Sequence, residues 1–272
     1  MKVIAAINGT ITAESMAFYA IRYAKVQDQT LILVHIKNEN DDVAYVHKSM
    51  ERINTIALSY NVKTENVFLN GAPANTLKNY VIHNNIDIIF CSTRKQNKLF
   101  SNTFTQSLTK MNLGVDIAVV RIVSINNIME SNNLLLSIKE DKLSVKKFTF
   151  FSTFASAYKA NTEIYSVTRM TRLQLSMVDI RRAREKLSLI NYNLRHYLQL
   201  SKFMPFKIHI KHDFTNNEEK SILSHIAKSN TDLVVIGAKR LSVKSFFKKE
   251  MPIEMLLRES SVNIIAYYPK DD

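Results

Sequence analysis

The chain has 272 residues, 46% hydrophobic and 22% charged, a balance that excludes global disorder and a length that fits two domains. Four glycines and four prolines exclude collagen-like and Gly/Pro-rich architectures, and the single cysteine, Cys91, excludes an internal disulfide framework and a cysteine-based zinc site. The net charge of +13 is uneven: residues 1–130 hold 13 basic and 10 acidic side chains, residues 131–272 hold 24 and 14.

In chain order, residues 3–7 form an apolar run closed by Asn8-Gly9-Thr10, a turn signal. The run is too short for a signal peptide, and no run in the chain is long enough to cross a bilayer, so a cytoplasmic protein is expected. Residues 14–25 place Met16, Ala17, Ala20, Ile21 and Ala24 at helical spacing. A strand is predicted at 31–36, a helix at 41–60 and a strand at 66–69. Residues 73–83 open with a proline, which a first helical turn tolerates. A strand at 86–90, a helix at 103–111 and a strand at 117–123 complete the first half. After a polar stretch at 127–132 the order begins again. Strands are predicted at 134–138, 162–168, 206–210, 232–236 and 263–268. Helices are predicted at 143–157, 176–200, 217–229 and 252–259.

Strands alternate with helices, and the strands are apolar on both faces. That pattern predicts a parallel sheet covered on each side by helices. The two halves share five strands and four helices in one order. Their tails match best: Ile86-Asp87-Ile88-Ile89-Phe90-Cys91 against Thr231-Asp232-Leu233-Val234-Val235-Ile236-Gly237, and Ile117-Ala118-Val119-Val120-Arg121 against Ile264-Ile265-Ala266-Tyr267-Tyr268. We expect a duplication, with one domain at 1–126, a second at 133–272 and a linker at 127–132.

Both halves resemble the universal stress protein domain. Val3-Ile4-Ala5-Ala6-Ile7-Asn8-Gly9-Thr10 resembles its opening strand, which usually ends in Asp-Gly-Ser. Gly71-Ala72-Pro73-Ala74 resembles its Gly-x-Pro-x helix entry, and Asp87-Ile88-Ile89 and Asp232-Leu233-Val234-Val235-Ile236-Gly237 resemble its Asp-Leu-Ile strand. The resemblance implies an α/β fold of two doubly wound parallel five-stranded sheets, Rossmann-like or flavodoxin-like, with strand order 3-2-1-4-5. It also implies that the halves pack as an internal pseudo-dimer through the strands at 117–123 and 263–268. A ligand would sit at the carboxyl ends of the strands, where the order reverses.

Many members of that family bind ATP through Gly-x2-Gly-x9-Gly-Ser/Thr after the fourth strand. Glycines let backbone N–H groups approach phosphate, and the next helix offers its positive end. In the second half Gly237 keeps the first glycine, Arg240 replaces the second, and Glu250-Met251 replace the final pair. A carboxylate there repels phosphate. In the first half Cys91 and Arg94 stand at the first two glycine positions, Ser101-Asn102 match the final pair, and Asn8 replaces the aspartate after the first strand. His35 either lines this crevice or caps the sheet edge. The candidate ligand residues are therefore Asn8, His35, Arg94, Ser101 and Asn102, beside a degenerate second loop marked by Gly237, Arg240 and Glu250. No cofactor is expected; ATP or AMP in the first half is the alternative.

Other constellations carry less. Arg94 and Lys95 would lower the Cys91 thiol pKa if it were exposed, but a buried small hydrophobe is the commoner role. His209, His212 and Asp213 lack an evident third metal ligand. Arg181-Arg182-Ala183-Arg184-Glu185-Lys186 decorates the long predicted helix and is read first as a solvated face. No Gly-x-Ser-x-Gly elbow, Walker A loop or His-Glu-x-x-His occurs, so no catalytic or metal residue is assigned. The reading is a non-enzymatic universal-stress-protein-like protein acting in stress response or regulation through a protein partner. A homodimer is allowed, and neither nucleic acid nor membrane insertion is expected. The second reading is an ATP/AMP sensor using the first-half crevice. The third is a polyanion binder using the basic second half.

Overall fold

The structure is a computed structural model that describes residues 1–37, 42–93, 104–126, 128–139, 144–177, 179–239 and 252–270. The first half runs β1 (Lys2–Ala6), α1 (Ile11–Val26), β2 (Thr30–Lys37), α2 (Val43–Ser59), β3 (Thr64–Asn70), α3 (Pro73–His83), β4 (Ile86–Thr93), α4 (Phe104–Lys110) and β5 (Asp116–Arg121). The second runs β6 (Asn133–Lys139), α5 (Val145–Tyr158), β7 (Asn161–Arg169), α6 (Arg172–Ser176), α7 (Ile180–Ser201), β8 (Ile208–Thr215), α8 (Glu218–Lys228), β9 (Leu233–Gly237), α9 (Pro252–Glu259) and β10 (Asn263–Tyr268).

The strand order is β3-β2-β1-β4-β5-β10-β9-β6-β7-β8. Within each half every described pairing is parallel and follows the expected 3-2-1-4-5 order. The halves do not form two separate sheets. β5 and β10 pair antiparallel, Ile264 opposite Arg121 and Tyr268 opposite Ile117, so the two five-stranded sets become one ten-stranded sheet. The physical reason is the unpaired row of N–H and C=O groups that each edge strand would otherwise present.

Two apolar layers flank this sheet. One joins the inner faces of α1, α2, α5 and the end of α7 to alternate strand residues such as Val3, Ala5, Phe90 and Val235. The other collects α3, α4, α8 and α9 over Ile4, Ile89, Val119 and Val234. Residues two apart on a strand share a face, so strands apolar throughout serve both layers. At the seam α1 meets α5. Phe150 of α5 stacks on Tyr267 at 4.2 Å and lies 5.8 Å from Tyr23 and 6.3 Å from Phe90, all centroid distances. Arg22 of α1 donates to the carbonyl of Ala157 near the end of α5 and lies 4.1 Å over the Tyr158 ring.

Polar groups close the seam at both ends. Asn263 opens β10, and its Oδ1 accepts from the backbone N–H of Val123 and Ser124 at 2.7 and 3.0 Å; its Nδ2 donates to Tyr19 Oη and the Ser124 carbonyl. Asp116 opens β5 in the mirrored position and accepts from the Tyr267 hydroxyl and the Lys270 N–H. The segment expected as a linker is packed: Ile128 is buried, and its carbonyl accepts from Tyr158 Oη at 2.8 Å.

Several boundaries differ from the sequence reading. α1 begins three residues earlier than predicted, because Thr10 caps it and accepts from Ala13 N–H. The helix predicted at 176–200 is α7, which begins four residues later at Ile180, and a separate short helix, α6, precedes it. Thr171 and Gln174 form a capping box for α6, and Asp179 caps α7 anew by accepting from Arg182 N–H. β8 extends to Thr215, so His209 and His212 both lie on it, where only His209 was expected on a strand. β4 extends to Thr93, so Cys91 lies inside that strand rather than at its end.

Candidate functional site

In a doubly wound sheet the ligand crevice opens at the carboxyl ends of the strands that flank the reversal of order. Here those are β1 and β4 in the first half, β6 and β9 in the second. The walls of the first crevice come from the turn after β1, the end of β2 and the end of β4. Gly9 has a positive φ of +76°, and a Cβ there would stand 2.9 Å from the Tyr45 ring, so both backbone and space call for glycine. Asn8 is exposed and folds back on this turn. Its Oδ1 accepts from the Thr10 N–H at 3.2 Å and the Thr10 hydroxyl at 2.8 Å. The carboxamide thus holds the entry to α1, a local bond that short polar side chains favour at turns.

His35, at the end of β2, is 2% exposed. Its Nδ1 lies 2.9 Å from the Ile7 carbonyl. A carbonyl can only accept, so Nδ1 carries the proton. The ring also meets Phe68 edge-on. Neither sequence alternative for His35 describes this well: it is an internal strut that ties β2 to the end of β1. At the end of β4, Thr105 of α4 donates to the Ser92 carbonyl at 3.3 Å, which sets the start of that helix against the strand. Arg94, Ser101 and Asn102 lie outside the described residues.

Cys91 is not a reactive thiol. It is buried in β4, and burial pushes its pKa up to about 12, with Thr105 pulling weakly the other way. The thiolate is therefore suppressed.

Arg121, which the sequence reading passed over, ends β5 in register with Thr93. Its Nε and Nη1 are shut off from water and have no hydrogen-bond partner among the described residues. Burial lowers its pKa, and the field of Glu259 at the end of α9 opposes that. A guanidinium with sealed, unsatisfied N–H groups is costly and attracts an anion. Its strand-end position was the only available signal, because pairing across the seam is a tertiary fact.

The second crevice is built differently. Gly237 closes β9, and the stem of Lys147 lies over it: a Cβ on Gly237 would meet Lys147 Cδ at 2.3 Å. Lys147 sits in the first turn of α5, which Ser144 caps. The glycine that would admit a phosphate to the backbone is thus covered by a lysine of the same half. Arg240 and Glu250 lie outside the described residues. Lys147 was also missed in the sequence, where only its place three residues after the cap Ser144 could have marked it.

The polar side chains of β8 are engaged with their neighbours. Among the described residues no group of three or more metal-ligating side chains occurs. Asp213 instead accepts from the Tyr165 and Ser221 hydroxyls at 3.1 and 2.6 Å, and His212 meets Phe214. On the same sheet face Glu163 binds His225 at 2.5 Å and Lys211 at 2.7 Å, while His225 stacks on Tyr165. These groups satisfy one another between β7, β8 and α8.

No protein-family model and no curated protein matches the sequence. Solved structures do match the fold. A universal stress protein from Archaeoglobus fulgidus DSM 4304 superposes with a TM-score of 0.63 at 13% identity, over 97% of this chain and 97% of that one. A protein of Pseudomonas aeruginosa UCBPP-PA14 assigned to the universal stress proteins gives 0.64 at 12%, over 99% and 94%. The cytoplasmic domain of a prokaryotic cation chloride cotransporter gives 0.64 at 9%, over 99% and 95%. The chain therefore has the fold of the universal stress proteins along nearly its whole length, and that fold also serves a transporter domain. No helix among the described residues is long and apolar enough to cross a membrane.

Proposed function

We propose that this chain is a tandem universal-stress-protein-like cytoplasmic protein. It acts in regulation or stress response by binding a protein partner, without nucleotide and without catalysis. The observation that carries the reading is the second crevice: its one glycine at the strand end lies under the Lys147 stem. The first crevice adds to it. Cys91 stands there in place of a glycine, and the carboxamide oxygen of Asn8 is spent on Thr10. A backbone cradle for phosphate needs glycines; residues 91–103 hold none, and residues 237–251 hold Gly237 alone.

A thermal-shift titration with ATP and AMP, with and without Mg²⁺, tests the proposal. A nucleotide at a hundred times its Kd stabilises a protein by roughly 2.7 kcal/mol. The expected result is no shift at millimolar nucleotide. A clear shift would overturn the reading.

One observation favours the second reading, a nucleotide or other small anion in the first half. Among the described residues, the sealed N–H groups of Arg121 at the strand ends of that half have no hydrogen-bond partner. Under that reading a shift appears with nucleotide, and both Arg121→Gln and Arg94→Glu abolish it.

A further inference from the structure

Ile180, Ala183, Leu187, Ile190, Leu194 and Tyr197 recur along α7 at alternating steps of three and four, which sets them in a single stripe down one face. The later half of that stripe is covered. Ile190, Leu194 and Tyr197 are buried; Tyr197 meets the Phe148 ring of α5 at 5.4 Å, and its hydroxyl accepts from the Ser144 N–H. The earlier half is not covered. No described residue from 171 to 189 is buried, Ile180 is 74% exposed and Leu187 37%. The periodicity does not change where the core ends, so the apolar face simply runs on beyond the globule for about two turns.

Basic residues border the uncovered half. Arg184 follows Ala183 and Lys186 precedes Leu187, which places the two on opposite sides of the stripe. Neither forms an ion pair among the described residues. Arg181, on the outer side of the helix, is paired with Glu185 at 3.1 Å. The acidic residue that borders this half, Asp179, is engaged in capping α7 through the Arg182 N–H.

Building on the proposed partner-binding function, we infer that this uncovered face docks an acidic amphipathic helix of a protein partner. Steps of three and four are the spacing at which two helices pack side by side, and Ala183 leaves a notch between Ile180 and Leu187 for a partner's side chain. Charge at the borders selects the occupant: Arg184 and Lys186 match Glu or Asp flanking the partner's own apolar stripe. A second copy brings Arg184 and Lys186 again and no acidic border beyond the capping Asp179. A bilayer takes a broad apolar arc, whereas this face is a narrow stripe between charges, and the exposed Leu189 is turned well away from it. A nucleic acid would use the charges and leave Ile180 and Leu187 in water. Two turns make a small contact, of the size found in transient signalling encounters.

Fluorescence anisotropy of the full chain with a labelled synthetic helix tests this. The helix has about four heptads, Leu at both core positions and Glu at both flanking positions; the control carries Lys in place of Glu. The Glu helix should bind and the Lys helix should not. Ile180→Ser/Leu187→Ser should weaken binding at least about tenfold, since it removes the apolar area buried. Arg184→Glu/Lys186→Glu should reverse the preference, losing the Glu helix and gaining the Lys helix, which a misfolded variant would not do. Melts of both variants should match the parent, because none of the four residues is in the core. No binding of the Glu helix, or unchanged binding by either variant, would overturn the inference. Phosphatidylserine vesicles or duplex DNA that bind more tightly than the Glu helix, and are released by the same variants, would assign the face to lipid or nucleic acid instead. A dimer seen by light scattering in the parent and lost in Ile180→Ser/Leu187→Ser would assign it to a second copy; each of these also overturns the inference. The nucleotide titration is independent: a shift there overturns the proposed function, while failure of the helix to bind with no such shift removes this face alone.

Discussion

Asn263 uses the complete hydrogen-bonding capacity of a carboxamide, two donors and two acceptors, at a site 1% exposed. It fixes the chain leaving β5 to the strand entering from the other half. Asn263→Ala strands two backbone N–H groups, a carbonyl and the Tyr19 hydroxyl away from water. At about 1–3 kcal/mol for each unsatisfied group, partly relieved by entering water, the expected loss is about 2–4 kcal/mol. Urea denaturation of parent and variant measures it, and a loss below about 1 kcal/mol would show that the seam does not depend on this residue. Little of this was legible in the sequence. Asn263 reads as an ordinary polar residue before an apolar run, and its partners lie more than a hundred residues away. Asn8 shows the converse: its place after the first strand was legible, but its engagement with Thr10 was not. A motif position says which residue stands where a ligand would come, not whether its polar atoms are already committed.

At the scale of elements, the α1–α5 contact carries the union of the halves. Phe150 sits at its centre, with Tyr23 and Phe90 from the first half and Tyr267 and Phe154 from its own. Phe150→Ala should cost about 3–5 kcal/mol, as large-to-small changes in a packed core do, and guanidinium unfolding would read it. A cost under about 1 kcal/mol would mean that the aromatic cluster collapses onto the space. The alternation of strand and helix was fully legible, because burial on both faces leaves long apolar runs such as Ile86-Asp87-Ile88-Ile89-Phe90. Element ends were less so. The break between α6 and α7 hinges on Asp179 taking the Arg182 N–H. Apolar spacing runs straight through that point, and periodicity alone cannot see a cap. β8 was cut short in the reading because His209, Lys211, His212 and Asp213 look like a loop. They are the polar outer edge of a sheet, where charge guards an unpaired strand.

At the scale of the whole molecule, β5 and β10 are interior strands only because each has the other. A chain ending near residue 126 would expose the β5 edge and the Tyr23–Phe90 surface together. Residues 1–126 alone should therefore self-associate or fail to fold, and size-exclusion chromatography with light scattering distinguishes this from a stable monomer. A well-folded monomer would mean that each half holds itself together. The seam was legible as an expectation, from the matching tails and the family resemblance, but its merging of both sets into one sheet was not, since hydrogen bonding between edges has no sequence signature.

The antiparallel join has one more effect. β10 runs against β5, so the strand ends that form one crevice point one way and those that form the other point the opposite way. The two mouths lie at opposite poles, and no single small molecule can bridge them. Each pole is then free to drift under its own selection: one can be covered by its own lysine while the other keeps a half-buried arginine, and neither change disturbs the shared middle.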